Sequence, residues 1–161
     1  MTPEEMKEKA IAMMARKRFH CSQAVLAVGQ EKLGKGNDDV IRAMGAFGGG
    51  LGGNGEVCGA LAGGLAVLGL RFSRARQEEK EDPKMWDYTE ELLTRFRDNI
   101  VKEHGSILCR DISRVDWNDR DQVKDFYKGD KVQECIRIVG ETARLIGELL
   151  ERPRSSHRHI Y

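Results

Sequence analysis

The sequence has 161 residues, 33% of them charged, and its 27 Lys and Arg against 26 Asp and Glu leave a formal net charge of +1. A chain of this length closes one core without needing disulfides, and the balanced charge carries neither the basic footprint of a nucleic-acid binder nor an acidic tail. The partners expected are therefore a redox partner protein or a small molecule. The longest apolar stretch, Ala60 to Leu70, is broken by glycines and falls far short of the ~20 residues that cross a bilayer, so no membrane span is expected. The opening MTPEEMKEKA is charged and helix-prone and lacks the apolar core of a secretory signal, which predicts a reducing cytoplasm. Four cysteines in such a compartment read as metal ligands or redox thiols before they read as structural bridges.

Pro3 suits a first helical turn with Thr2 as its N-cap, and Met6, Ala10, Met13 and Met14 follow at helical spacing. After a basic interruption at Arg16 to Arg18, the residues Cys21, Ala24, Val25 and Val28 recur as one amphipathic stripe, which predicts a second helix with Cys21 on its buried face. Gly34 to Asn37 ends that helix, and a short helical segment from Asp38 to Phe47 follows. Gly48 to Gly55 is almost entirely glycine and reads as a loop. It feeds a helix from Val57 to Leu70, where Cys58, Leu61, Ala62 and Leu65 share a face and Ala60, Gly63 and Gly64 permit close helix packing.

Phe72 to Lys84 is a charged connector ending at Pro83. Met85, Leu92, Leu93, Phe96 and Ile100 mark the inner face of a long helix that stops at Gly105. Ser106 is positioned to cap a short helix carrying Ile107, Leu108, Cys109 and Ile112, and Ser113 to Lys128 mixes aromatics and charges without a period, as an irregular excursion does. The last helix starts at an Asp130 N-cap with Gln133 three residues on, and Val132, Cys135, Ile136, Val139, Ala143, Ile146 and Leu150 line one side before Pro153. The expected fold is a single all-α domain, an irregular helical bundle with a glycine-rich loop, with its core over residues 3–152 and residues 153–161 as a flexible tail.

No C-x-x-C pair links Cys21, Cys58, Cys109 and Cys135, so spacing alone does not identify a zinc ribbon or a thioredoxin-like site. Placement adds more. Cys21, Cys58 and Cys135 fall on apolar faces, and all four fall near predicted helix N-termini, whose partial positive charge favours the thiolate that binds metal or attacks a disulfide. Four ordinary buried cysteines fit the same pattern.

The segments H-C-S-Q-A-V-L at His20 to Leu26, GEVCGALAG at Gly55 to Gly63, I-L-C-R-D at Ile107 to Asp111 and E-C-I-R-I-V at Glu134 to Val139 carry a resemblance. Over Met6 to about Leu150 the chain resembles the C_GCAxxG_C_C family of redox-active proteins, named for four cysteines in this order. The family's own likeness to a domain of split-Soret cytochromes implies an iron-sulfur centre. This chain departs from those cytochromes in having no C-x-x-C-H motif, so covalent haem is not expected.

The leading expectation is that the four cysteines converge to hold an iron-sulfur or other metal centre for electron transfer or redox sensing. Gly55 and Gly59, flanking Cys58, are the accompanying cofactor contacts. The alternatives are a metal-free thiol-disulfide protein in which the same cysteines are catalytic, and a structural zinc-binding helical adaptor. Whether the protein is an enzyme stays open. Gly50, Gly52 and Gly55 spell a G-x-G-x-x-G, but no strand-turn-helix unit surrounds it. The better reading is that the glycines bring backbone N-H groups up to Cys58, making it the most acidic of the four thiols. His20 is expected to face outward, His104 to cap a helix C-terminus, and His157 and His159 to lie in the tail. Glu56 is a candidate proton donor or acceptor beside Cys58, while Met13, Met14, Met44, Trp86 and Trp117 read as packing residues.

Overall fold

A computed structural model describes residues 1–16 and 19–153. The basic residues Lys17 and Arg18, and the tail with His157 and His159, lie outside the described residues. Among those described there are eight α-helices and no strands, as the sequence predicts for an all-α bundle. Helix α1 spans Pro3–Ala15, α2 Cys21–Leu33, α3 Asp38–Met44 and α4 Gly59–Phe72. Helix α5 spans Lys84–Arg95, α6 Cys109–Ser113, α7 Arg120–Lys128 and α8 Asp130–Glu151.

The bundle is organised by α8, which packs along α1 and also against α2 and α4. Its buried stripe contains Ile136, Val139, Ala143 and Ile146, and Met6 and Ala10 meet it from α1. Helix α1 begins as its sequence requires: the Thr2 hydroxyl accepts from the Glu5 amide while the Glu5 carboxylate accepts from the Thr2 amide, satisfying two of the donors that a helix start leaves without partners. Helices α2 and α4 lie close because Gly63 has no side chain; a Cβ there would stand 2.5 Å from the Ser22 carbonyl oxygen. The buried Gln30 ties off the end of α2, donating to the Asn37 carbonyl at 3.1 Å and accepting the Asn37 amide at 3.2 Å.

Several local expectations are corrected. Leu65 does not join the inner face of α4 but is 37% exposed, the buried set being Ala60, Leu61, Val67, Leu68 and Phe72. The helix beginning at Lys84 does not run regularly to its stop: beyond Arg95 it widens into a π turn, Phe96–Ile100, and tightens into a 3-10 turn, Lys102–His104. The wider turn keeps Phe96, Ile100 and Val101 in the core. Gly105 then ends the segment in the left-handed conformation, φ 69°. Ile107 and Leu108 precede α6 rather than belonging to it, and Ser106 accepts the Leu108 amide at 2.9 Å. Gly129, not Asp130, is the N-cap of α8.

The largest difference is α7, within a stretch whose sequence reads as irregular. The Asp119 carboxylate caps it, accepting the Asp121 and Gln122 amides at 3.0 and 3.2 Å. Its single buried residue is Phe126. Trp86, expected to pack, is 64% exposed on α5.

Candidate functional site

The glycine loop from Gly48 to Gly55 positions the site. Gly49, Gly50, Gly52, Gly53 and Gly55 all take positive φ, as does Leu51 at 61°, so the chain coils tightly enough for the Glu56 amide to reach the Gly50 carbonyl at 3.0 Å. Gly50 also makes room for a cysteine: a Cβ there would stand 2.5 Å from the Cβ of Cys109. Leaving the loop, the chain forms one antiparallel bridge between Val57 and Leu108. The Cys58 amide donates to the Ile107 carbonyl at 2.9 Å and the Cys109 amide to the Glu56 carbonyl at 2.7 Å. Two cysteines far apart in sequence are thereby set side by side at the starts of α4 and α6.

Cys21, Cys58, Cys109 and Cys135 all line one cavity of about 530 Å³. Cys58 and Cys109 are buried, Cys21 and Cys135 partly so, and all four are free thiols. Cys21 is the first residue of α2, Cys58 the N-cap of α4 and Cys109 the first residue of α6. The expectation of an N-terminal position fails for Cys135, which sits in the second turn of α8. Gly59 lines the same cavity, whereas Gly55 is set back against Arg110, whose amide and guanidinium donate to its carbonyl at 3.1 and 3.0 Å.

Donors approach the sulfurs from several directions. The Gly49 and Ser22 amides favour the charged form of Cys21, and the Ala60 amide that of Cys58. The indole N-H of Trp117 donates to Cys109 Sγ at 3.4 Å, and the Ser113 hydroxyl stands 3.7 Å from the same sulfur. The glycine-loop amide therefore serves Cys21, where sequence reasoning assigned it to Cys58.

Burial outweighs these donors. It pushes the Cys58 thiol well above its ordinary range, with the neighbouring Cys21 adding to the effect. The Cys21 and Cys135 thiols are raised by the same cause. Desolvation therefore works against the expected acidity of Cys58, disfavouring its thiolate where a helix terminus would favour it.

Residues around the cysteines divide clearly. Glu56, a candidate acid from sequence, is exposed and paired with Arg110. His20 is exposed as expected, with its ring against Gly48 at the cavity edge. His104 ends its 3-10 turn and hydrogen-bonds Glu134 at 2.9 Å, and the Arg137 guanidinium together with His104 holds the Glu134 carboxyl down at about 2. Met14 lines the cavity, while Met13 and Met44 belong to the core. Trp117 is the residue that sequence reasoning missed. It packs edge-on against Phe126, ring centroids 5.1 Å apart, as well as bonding Cys109. The Asp119 cap with Gln122 three residues on was the available sign that an ordered helix holds these aromatics in place.

The donor set can be tested against the groups it is expected to hold. Among the described residues, no three His, Cys, Asp or Glu side chains stand close enough together to hold a metal ion. A polynuclear iron-sulfur cluster takes one thiolate per corner or two per iron and accepts ligands spread farther apart, with hydrogen bonds to sulfur setting its potential. Cys21, Cys58, Cys109 and Cys135, which line one cavity with amide and indole donors near their sulfurs, are the residues that could hold such a group.

Against known families, the family model described as "Putative redox-active protein (C_GCAxxG_C_C)" matches residues 19–149. No curated protein and no solved structure matches the chain.

Proposed function

We propose that this chain, which belongs to the C_GCAxxG_C_C family of redox-active proteins, uses Cys21, Cys58, Cys109 and Cys135 to hold one iron-sulfur centre that stores or passes electrons. The observation that carries this reading is the meeting of all four cysteines on a single cavity, from four different helices or helix starts. When bound, such a centre supplies one-electron chemistry at a potential set by its surroundings. The chain's own part is to deliver the thiolates, exclude water and tune the sulfurs through the Gly49, Ser22 and Ala60 amides and the Trp117 indole.

A bound cation would offset the burial of the thiols. Deprotonating Cys58 in this cavity is costly unless a positive centre is present to take up the charge, and metal binding releases the proton at the same step.

The test is reconstitution under nitrogen with ferrous iron and sulfide, on the natural protein and on four single Cys→Ser variants. A visible charge-transfer spectrum in the natural protein, lost or altered in every variant, supports the reading. An unchanged spectrum in any one variant removes that cysteine from the ligand set, and no spectrum in the natural protein rejects the cluster.

A further inference from the structure

Two short devices set Cys58 beside Cys109, and neither is strong by itself. One is the single antiparallel bridge between Val57 and Leu108, and backbone pairing this brief is marginal in water. The other is α6, whose five residues, Cys109–Ser113, are too few for a helix to hold its own turns. A further contact has to fix the start of α6 to the glycine loop. Among the described residues, one side chain makes every side-chain hydrogen bond between residues 48–56 and residues 106–118. It belongs to Arg110, the residue after Cys109. Its Nε donates to the Gly55 carbonyl at 3.0 Å, the same oxygen that the Arg110 amide reaches at 3.1 Å, and its Nη2 donates to the Glu56 carboxylate. Gly55 is buried, and a Cβ there would stand 3.0 Å from the Cβ of Arg110. The two residues gripped by the guanidinium are those that lead directly into Val57 and Cys58.

We infer that Arg110 is a positioning residue for the cysteine set: its forked guanidinium clamps Gly55 and Glu56 to the start of α6 and so fixes Cys58 relative to Cys109. The grip on the Gly55 carbonyl is the essential one. The Arg110 and Glu56 side chains are 51% and 49% exposed, and an ion pair that open to water contributes little. The Gly55 carbonyl belongs to a buried residue and loses a partner when the guanidinium is removed. Lysine cannot replace the fork, because its single ammonium sits on a flexible stem and offers no N-H at the position of Nε. The inference rests on the cysteines acting as one set in the proposed function, and its first readout needs no metal.

The test is amide deuterium exchange on the reduced, metal-free full chain, comparing the natural protein with Arg110→Gln, Arg110→Lys and Glu56→Gln. The Cys58 and Cys109 amides should exchange at least about tenfold faster in both Arg110 variants and within about threefold of the natural rate in Glu56→Gln. The Ile138 and Leu145 amides, buried on α8, should keep their natural rates throughout. A role confined to overall stability would speed all four amides together, and a role of charge alone would be rescued by Arg110→Lys. Either result would overturn the inference, as would unchanged rates in Arg110→Gln or an effect of Glu56→Gln as large as that of Arg110→Gln. After reconstitution with ferrous iron and sulfide, the visible spectrum should be altered in both Arg110 variants and kept in Glu56→Gln; one spectrum shared by all four proteins would show that Arg110 does not place the sulfurs. Failure of the natural protein to take up iron would reject the cluster and leave the exchange result to decide the clamp.

Discussion

A side-chain carbon on Gly59 would stand 2.4 Å from the sulfur of Cys21, so the residue after Cys58 is small because a sulfur from another helix occupies the space its side chain would take. Real Cβ atoms do not approach that closely. Gly59→Ala is therefore expected to displace Cys21 or the start of α4. Forcing a methyl group into a packed site costs roughly 1 to 3 kcal/mol, and the cluster content should drop with it. Gly69→Ala is the control, since nothing lies within 4 Å of a Cβ at that position in the same helix. It should stabilise by about 0.5 to 1 kcal/mol. Urea denaturation of both variants, with iron analysis, checks the pair; equal stability would mean that the Gly59 contact does not constrain the site.

Gly50→Ala should be worse. Its φ of 71° disfavours any side chain, and a Cβ would meet Cys109 Cβ at 2.5 Å and the Glu56 backbone at 2.6 and 2.7 Å. Backbone cannot step aside as a flexible side chain can. The expected outcome is loss of the bridge that sets Cys58 beside Cys109, read as exchange of the Cys58 and Cys109 amides with deuterium at rates far above those of the natural protein.

Trp117→Phe keeps an aromatic ring and removes the N-H that donates to Cys109. A hydrogen bond to a ligand sulfur stabilises the more negative, reduced form, so its loss should lower the midpoint potential. At about 1 kcal/mol for one hydrogen bond the shift is about 40 mV for one electron. Potentiometric titration followed by visible absorbance measures it. A rise in potential would place the indole's influence elsewhere.

The elevated thiols make a prediction for reduced, metal-free protein. Above the ~8.5 of an exposed thiol, the unfolded chain loses protons that buried Cys21, Cys58 and Cys135 keep, so the unfolded state binds fewer protons and stability falls as pH rises. Below that pH the contribution is complete and flat. Each such thiol contributes a slope of up to about 1.4 kcal/mol per pH unit within its window. Denaturation at about pH 7.5, 9 and 10 should show this decline, and Cys58→Ala should make it shallower. A decline of equal steepness in that variant would show that Cys58 does not titrate above the unfolded thiol.

Much of the bundle was legible because its helices advertise themselves locally. The Thr2-Pro3 start, the left-handed stop at Gly105 and the stripe from Ile136 to Ile146 each require no tertiary information. The cysteine order likewise carried the family. What escaped depended on contacts between distant segments. Helix α7 buries only Phe126, and its apolar face is the short set Val123, Phe126 and Tyr127 among charged residues, easily passed over in sequence, while Trp117 becomes a site residue because Gly50 lets Cys109 approach the glycine loop. The burial that raises the Cys58 thiol escaped for a related reason: a helix terminus can be read from sequence, whereas the depth of the cavity that desolvates the sulfur cannot.

Iron and acid-labile sulfide per chain, determined on protein purified under nitrogen, test the central claim most directly. The account predicts both in near-equal, stoichiometric amounts, and loss of both when Cys21, Cys58, Cys109 and Cys135 are replaced together by serine. Stoichiometric zinc without sulfide, or a metal-free protein with four freely titrating thiols after anaerobic handling, would contradict it.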